Sequence, residues 1–395
     1  MVRKTIQSYV GIRACFQFAI FFHAATYVTY LMERGGLNLL EVNMVNLGFF
    51  LTLMLFEIPT GAVADLFGRR LTFASACCLF ALSSLIYAKS QTFWCFVLGE
   101  VVGAIGSTLA NGAIQAWMVD RIKFFGSEGS PSRVFAVEQY CCGVTQIIGG
   151  VLGAYCYAFD PPLTWLLGGL IMGVIALVAL FVMKEEYSHG VRRTRGDVLQ
   201  LFGKSVSAIK DHALNNKVVR FLLVISFVNM LAVMAPNMQW QPFFLSLNSS
   251  KVFLGYIVAM SFIAMMFGTL VSTKFMMPFF GNKRAILVGQ LLVGVGICAT
   301  TFFCLPVALT IFVVHEIGRG AWYPLRDTYL HDNIPSDHRA TLASLTSTAN
   351  HVGGIVGLIF CGFLAQYLSI TVSWVLSGGI MISTVLLLWK EKKEH

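Results

Sequence analysis

The sequence predicts an all-α integral membrane protein with twelve transmembrane helices in two pseudo-symmetric six-helix halves. Three observations carry that prediction: an apolar composition, twelve apolar runs of spanning length, and basic residues confined almost wholly to one side. Hydrophobic residues make up 57% of the 395-residue chain and charged residues 12%. A soluble domain carries about 25% charged residues because water must solvate its surface. This surface must therefore face lipid over most of its area.

A helix needs about 20 mostly apolar residues to cross the hydrocarbon core. Such runs lie near 11–32, 44–64, 71–90, 92–119, 134–157 and 162–183. A second set lies near 218–240, 252–277, 284–303, 306–330, 340–365 and 368–389. A basic start followed by an apolar run also fits a signal peptide. Because another run follows at once, the stretch 11–30 reads as the first span. The polar stretch 184–217 separates the two sets, giving an N-terminal bundle over 1–183 and a C-terminal bundle over 218–395. Within it Val198, Leu199, Leu201, Phe202, Val206 and Ile209 recur at helical spacing. That pattern predicts a cytoplasmic linker carrying an interfacial helix, with a disordered linker as the alternative.

Lys and Arg stay on the cytoplasmic side of a membrane protein. Arg3, Lys4, Arg69, Arg70, Arg121, Lys123, Arg133, Lys283, Arg284, Arg339 and the tail Lys390, Lys392 and Lys393 all fall on one side, with the basic residues of 184–220. Only Arg34, Lys89 and Lys251 fall on the other. Both termini are therefore expected in the cytoplasm, with the 240–251 loop outside and the protein in the plasma (cell inner) membrane. That loop holds the glycosylation pattern Asn248-Ser249-Ser250.

Several function classes fall away. The net charge of +9 raises nucleic acid as a partner. The charges lie between apolar runs rather than in a patch interleaved with exposed aromatics, so no nucleic-acid partner is expected. Ten cysteines raise metal binding, but no C-x-x-C occurs. His315-Glu316 opens like a zinc-helix motif, yet Arg319 stands where the second histidine must be. No metal or other cofactor is expected. The chain contains no G-x-x-x-x-G-K-[ST] loop, which argues against ATP drive, and no nucleophile–base–orienter set, which argues against an enzyme.

The two halves show internal similarity, as in transporters built by duplication. The segment Phe96 to Gly103, containing Gly99-Glu100, resembles Phe312 to Arg319, containing His315-Glu316. Gly149-Gly150-Val151-Leu152-Gly153 resembles Gly353-Gly354-Ile355-Val356-Gly357. Both matches fall in corresponding spans, the fourth and tenth and the fifth and eleventh.

Between the second and third runs stands Gly61-Ala62-Val63-Ala64-Asp65-Leu66-Phe67-Gly68-Arg69-Arg70. Its glycines permit close helix approach and a tight turn, and Asp65 and Arg69 are spaced to pair at a helix end. The pattern resembles the G-x-x-x-D-x-x-G-R-R signature of the major facilitator superfamily, which occupies the same loop. The resemblance implies a charge relay of Asp65 and Arg69 with an acid at the cytoplasmic end of span four, by position Asp120. That relay would latch the halves together in the outward-open state. Glu57, two turns before Asp65, would brace it or assist proton coupling. The second-half copy around Pro278 to Arg284 keeps a Gly and two basic residues but lacks the acid, and no latch is expected there. Drug–proton antiporters of the family often carry an Arg in span four and a Gly-Pro pair in span five. This chain has Glu100 and no proline between Gly143 and Gly150.

In the family fold, spans one, four, seven and ten line the central cavity. That implies a lining of Arg13, His23 and Tyr27, then Glu100, Asn111 and Gln115, then Asn229, Asn237 and Trp240. The tenth span adds His315, Glu316, Arg319, Trp322, Tyr323, Arg326 and Asp327. Ionisable groups at membrane depth are costly unless paired or wetted, so they are candidates for function. Bland alternatives stay open: Arg13 and Asp327 at the interface, His23 as a core histidine, Glu316 with Arg319 as a structural pair, and Asn or Gln as helix glue. Glu100 and Glu316 fall at the same depth in both repeats. Glu100 is the better proton site, because Arg319 one turn from Glu316 favours a substrate-holding role there. The expected function is secondary transport by alternating access, proton-coupled, exporting a small amphipathic organic molecule, by a monomer. Uptake of a small anionic metabolite, with Arg13 or Arg319 as anion partner, is the alternative within the class. A passive channel or a non-transporting receptor is the alternative outside it.

Overall fold

In the computed structural model the chain is almost entirely helical. The structure describes residues 2–125, 131–185, 216–334 and 336–390, with backbone alone at 2, 57–66, 123, 131–133, 336–341, 343 and 344. In chain order the helices are α1 (Val2–Ala24), α2 (Tyr27–Gly35), α3 (Leu39–Phe67), α4 (Arg69–Lys89), α5 (Phe93–Phe124), α6 (Pro131–Phe159) and α7 (Pro161–Val182). They continue as α8 (Lys217–Leu247), α9 (Lys251–Val271), α10 (Met277–Phe280), α11 (Asn282–Thr300), α12 (Leu305–Asn333), α13 (Ser336–Tyr367) and α14 (Ile370–Lys390). Each of the twelve apolar runs is met by a helix or a bent helix pair. The expected interfacial helix of 184–217 lies outside the described residues, apart from that stretch's first two and last two positions.

Ten of these helical passages hold an apolar window of spanning length, and α1 with α2 make an eleventh, bent by 44° at Ala25-Thr26. The twelfth passage is α12. Glu316, Arg319, Arg326 and Asp327 interrupt its apolar run, so its polarity is itself a sign that those side chains must be satisfied inside the protein. A five-residue π-turn, Ser272–Met276, joins α9 to α10. The hydroxyls of Thr269, Ser272 and Thr273 bond nearby backbone carbonyls at that point, which is the kind of side-chain intrusion that loosens a helical ladder.

The chain forms two compact units. The first comprises Met1–Leu37, Gly48–Leu199 and Ser250–Ala259, and the second Asn38–Leu47, Gln200–Ser249 and Met260–His395. In the first, α1 packs on α6, and α4 packs on both α5 and α7. In the second, α8 packs on α13, and α11 packs on both α12 and α14. The duplicated glycine segments serve the same crossing in each unit. A Cβ at Gly149 or Gly153 would stand 2.7 Å or 1.8 Å from the carbonyl oxygen of Phe18 or Phe22 on α1. One at Gly353 or Gly357 would stand 2.3 Å or 2.7 Å from that of Phe227 or Leu231 on α8. Without a hydrophobic driving force between helices in lipid, close approach over small residues supplies the packing.

Gly153→Ala should therefore separate α1 from α6. Overpacking of this kind costs about 1–3 kcal/mol or more, because the opposing atom is backbone. The expected result is a lower thermal midpoint in detergent and less monodisperse protein. Gly379→Ala, at a glycine with nothing within 4 Å, should change neither. Equal behaviour of the two variants would show that the α1–α6 crossing is not close-packed.

Candidate functional site

The most distinctive polar cluster lies in the first unit, around Glu100 of α5. Tyr27 of α2 donates a hydrogen bond to Glu100 Oε1 at 2.6 Å, and Tyr87 of α4 donates a second, very short one to the same oxygen. Oε2 accepts none among the described residues. Glu100 is 8% exposed and has no cationic partner among them. The local sequence explains how a tyrosine reaches a buried carboxylate so closely. Gly99 precedes Glu100, and a Cβ there would stand 2.8 Å from the Tyr87 ring. Ser83 donates to the Gly99 carbonyl at 2.8 Å, tying α4 to α5 one turn away.

A stack of aromatic rings extends from these phenols. Tyr87 stacks on Trp165 of α7 with centroids 4.0 Å apart and planes 8° apart, and His23 of α1 stacks on the same indole at 4.1 Å and 14°. Tyr30 fixes the backbone by donating to the Tyr87 carbonyl at 2.9 Å. The bend between α1 and α2 places His23 and Tyr27 on either side of the break, so one span supplies both the stacked imidazole and the phenol.

A second cluster pairs Arg13 of α1 with Glu138 of α6 at 2.6 Å, and Tyr9 donates to the same carboxylate. Arg13 is 9% and Glu138 6% exposed. The charge of Arg13 is therefore held by a buried acid.

The third cluster, in the second unit, lies on α12. Arg319 donates to Glu316 Oε1 at 2.9 Å, and His315 Nε2 stands 3.8 Å from that oxygen. Glu316 Oε2 and His315 Nε2 are buried with no hydrogen-bond partner among the described residues. Close approach of α11 produces this burial: a Cβ at Gly296 would stand 2.6 Å from His315 Cβ, and one at Gly318 would stand 3.0 Å from the Gly289 carbonyl oxygen. Glu100 and Glu316 thus share burial but not partners.

At the positions expected to form the gate, Arg69 lies 3.8 Å from Asp120. Gly68 has φ 88°, which favours glycine, and begins α4. Glu185 accepts from the backbone N–H groups of Arg69 and Arg70 at 2.5 and 3.1 Å, capping that helix start with a negative charge. The side chains of Glu57 and Asp65, and the environment of Gly61, lie outside the described residues. In the second-half copy, Gly281 adopts the same conformation at φ 74°, and Asn282 hydrogen-bonds Asp332. There an amide stands in place of the arginine at the position after the glycine, so the contact involves no cation.

The remaining candidates divide. Asn229 is buried on α8, while Asn237 and Trp240 are half-buried. Asn111 and Gln115 are exposed on one face of α5. Trp322 is buried and Tyr323 exposed, and the Arg326 guanidinium stands 5.8 and 5.0 Å from their rings while pairing with Asp327. Sequence reasoning missed Tyr87, Trp165, Glu138, Tyr9 and Glu185. Glu138 carried a usable signal, an acid one turn inside an apolar run; Tyr87 and Trp165 carried none.

A family model described as the Major Facilitator Superfamily matches residues 10–276 and 222–395. The chain is 22% identical over 375 residues to the MFS-type transporter YxaM of Bacillus subtilis, covering 91% of this chain and 89% of that one. It is 21% identical over 338 residues to the class B tetracycline resistance protein of Escherichia coli, covering 83% and 80%. Among solved structures, the nucleoside transporter NupG superposes with a TM-score of 0.77 at 12% identity, covering 98% of this chain and 100% of that one. The xylose transporter XylE of E. coli gives 0.72 at 14%, covering 100% and 97%. At these identities the structures speak for the fold alone. The signature loop, the repeated glycine crossings and the family match over nearly the whole length agree: the chain is a multi-pass membrane protein belonging to the major facilitator superfamily.

Proposed function

We propose that this transporter is proton-coupled and works by alternating access, with Glu100 as the proton site. One observation carries the proposal: Glu100 is a buried carboxylate held by two phenols with no cation beside it among the described residues. A carboxylate cannot stay charged and unpartnered at membrane depth at low cost, so it exchanges a proton as its access changes sides. Arg13 and Glu316, by contrast, are locked in ion pairs. Export of a small amphipathic organic molecule is the preferred direction, supported by the aromatic surroundings of Glu100 and by similarity to a tetracycline resistance protein. Asp65, Arg69 and Asp120 would form the cytoplasmic latch, and Glu316 with Arg319 would hold a polar group of the substrate. Uptake of an anion needs a free cation, which neither Arg13 nor Arg319 offers. Both termini are placed in the cytoplasm on the distribution of Lys and Arg.

The test is transport into vesicles of purified full-length protein under an imposed pH gradient, using compounds chosen by thermal stabilisation. The expected result is saturable, gradient-driven flux, counterflow, and a change in lumenal pH only when the compound is added. Flux without saturation or counterflow would point to a channel. In intact cells a cysteine placed at Ser249 should react with an impermeant reagent, and protection of that site would invert the orientation.

A further inference from the structure

The charges buried in the described residues do not all cancel. Arg13 is matched by Glu138, and Glu316 by Arg319. Arg121, at the cytoplasmic end of α5, donates to the Lys184 carbonyl at 3.0 Å and lies 4.9 Å from the Phe125 ring. Glu100 alone among these buried acids has no positive group beside it. The titratable side chains facing it are Tyr27 of α2 and Tyr87 of α4, with His23 of α1 beyond Trp165 of α7. None supplies a fixed cation.

Something from outside the chain must neutralise this carboxylate whenever it is not protonated. We infer that the neutralising partner is the substrate itself, an organic cation with a diffuse positive charge, and that proton and cation take turns on Glu100. This rests on the reading of Glu100 as the proton site and adds the chemical class of the substrate. The geometry selects an organic over an inorganic cation. Hard metal ions require several oxygen ligands, whereas here one carboxylate stands alone and the described residues form no group of three His, Cys, Asp or Glu. Beside it stand the phenol rings of Tyr27 and Tyr87, aromatic surface to which a diffuse positive charge is attracted, while Trp165, stacked on Tyr87 and on His23, backs that wall. Both phenol hydroxyls are committed to Oε1, which leaves Oε2 to face the ligand. The exchange is balanced in charge: the cation arrives as the proton leaves, so one of each is traded without net charge movement.

The experiment uses purified full-length protein in weakly buffered detergent, with ethidium and tetraphenylphosphonium as permanent cations and fluorescein as an anionic control. A cation should release about one proton per molecule bound, and its apparent Kd should fall about tenfold per pH unit while Glu100 titrates. Fluorescein should release none. Glu100→Gln, checked for an unchanged thermal midpoint, should bind the cations at least about tenfold more weakly and release no proton. Proton release by the parent protein needs no variant, so the inference stays testable should that substitution fail to fold. Cation binding without proton release, no binding of either cation at millimolar concentration, or a Glu100→Gln variant that binds as tightly as the parent overturns it. If Glu100→Gln also loses gradient-driven transport while cation binding is untouched, the proton site stands and only the substrate class falls.

Discussion

Glu100→Gln is expected to reduce pH-gradient-driven transport to the level of protein-free vesicles while the protein remains folded. Gln keeps the size of the side chain, and its oxygen can still accept from Tyr27 and Tyr87, whose bonds to Oε1 hold the native carboxylate. What it loses is the capacity to load and release a proton. Little structural penalty is expected, because removing an unpartnered buried charge also removes its desolvation cost. Tyr87→Phe should be milder. It deletes one hydrogen bond to a charged acceptor, worth roughly 1.5–3 kcal/mol, but keeps the ring that stacks on Trp165. Transport should fall about tenfold and remain driven by the gradient. Downhill exchange in Glu100→Gln separates two roles: it survives if the carboxylate carries only the proton, and fails if the substrate cation also sits there. Uphill transport by Glu100→Gln equal to that of the parent would remove Glu100 from the coupling mechanism.

The fold was readable because lipid imposes strong, local constraints. Spanning length, the side taken by Lys and Arg, and the signature from Gly61 to Arg70 are each written in a short stretch of sequence. The repeated glycines were legible too, and the structure shows their physical use at the crossings of α6 on α1 and α13 on α8. The candidate site was half legible. Glu100 and Glu316 declared themselves as acids in apolar runs at matching positions. Their different surroundings did not, because partners arrive from other helices. Tyr87 and Trp165 sit in spans three and six, where an aromatic residue is ordinarily lipid-facing or core. Only the close α4–α5 approach at Gly99 turns Tyr87 onto the carboxylate. That Arg319 could pair with Glu316 was legible because it lies one turn away on the same helix. Glu138 is 125 residues from Arg13, and no spacing rule connects them.

Breaking that pair should give the largest loss of stability in the first unit. Arg13 and Glu138 are joined at 2.6 Å with side chains 11% and 8% exposed, and Tyr9 supplies a further hydrogen bond to the carboxylate. Removing one member of a buried ion pair leaves the other uncompensated, at a cost of about 3–5 kcal/mol. Glu138→Gln and Arg13→Met should therefore each lower the thermal midpoint in detergent substantially and reduce the yield of folded protein. The double variant Arg13→Met with Glu138→Leu removes both charges and fills the space with apolar atoms. It should recover most of the loss, because replacing a whole buried pair by hydrophobic residues is often neutral or stabilising. The same variants also separate structure from transport. If Arg13 serves only to neutralise Glu138, the stable double variant transports as the parent does. If Arg13 instead binds an anionic substrate, the double variant is folded but inactive. Singles as stable as the parent would mean that the two charges are not held together inside the bundle of α1 and α6.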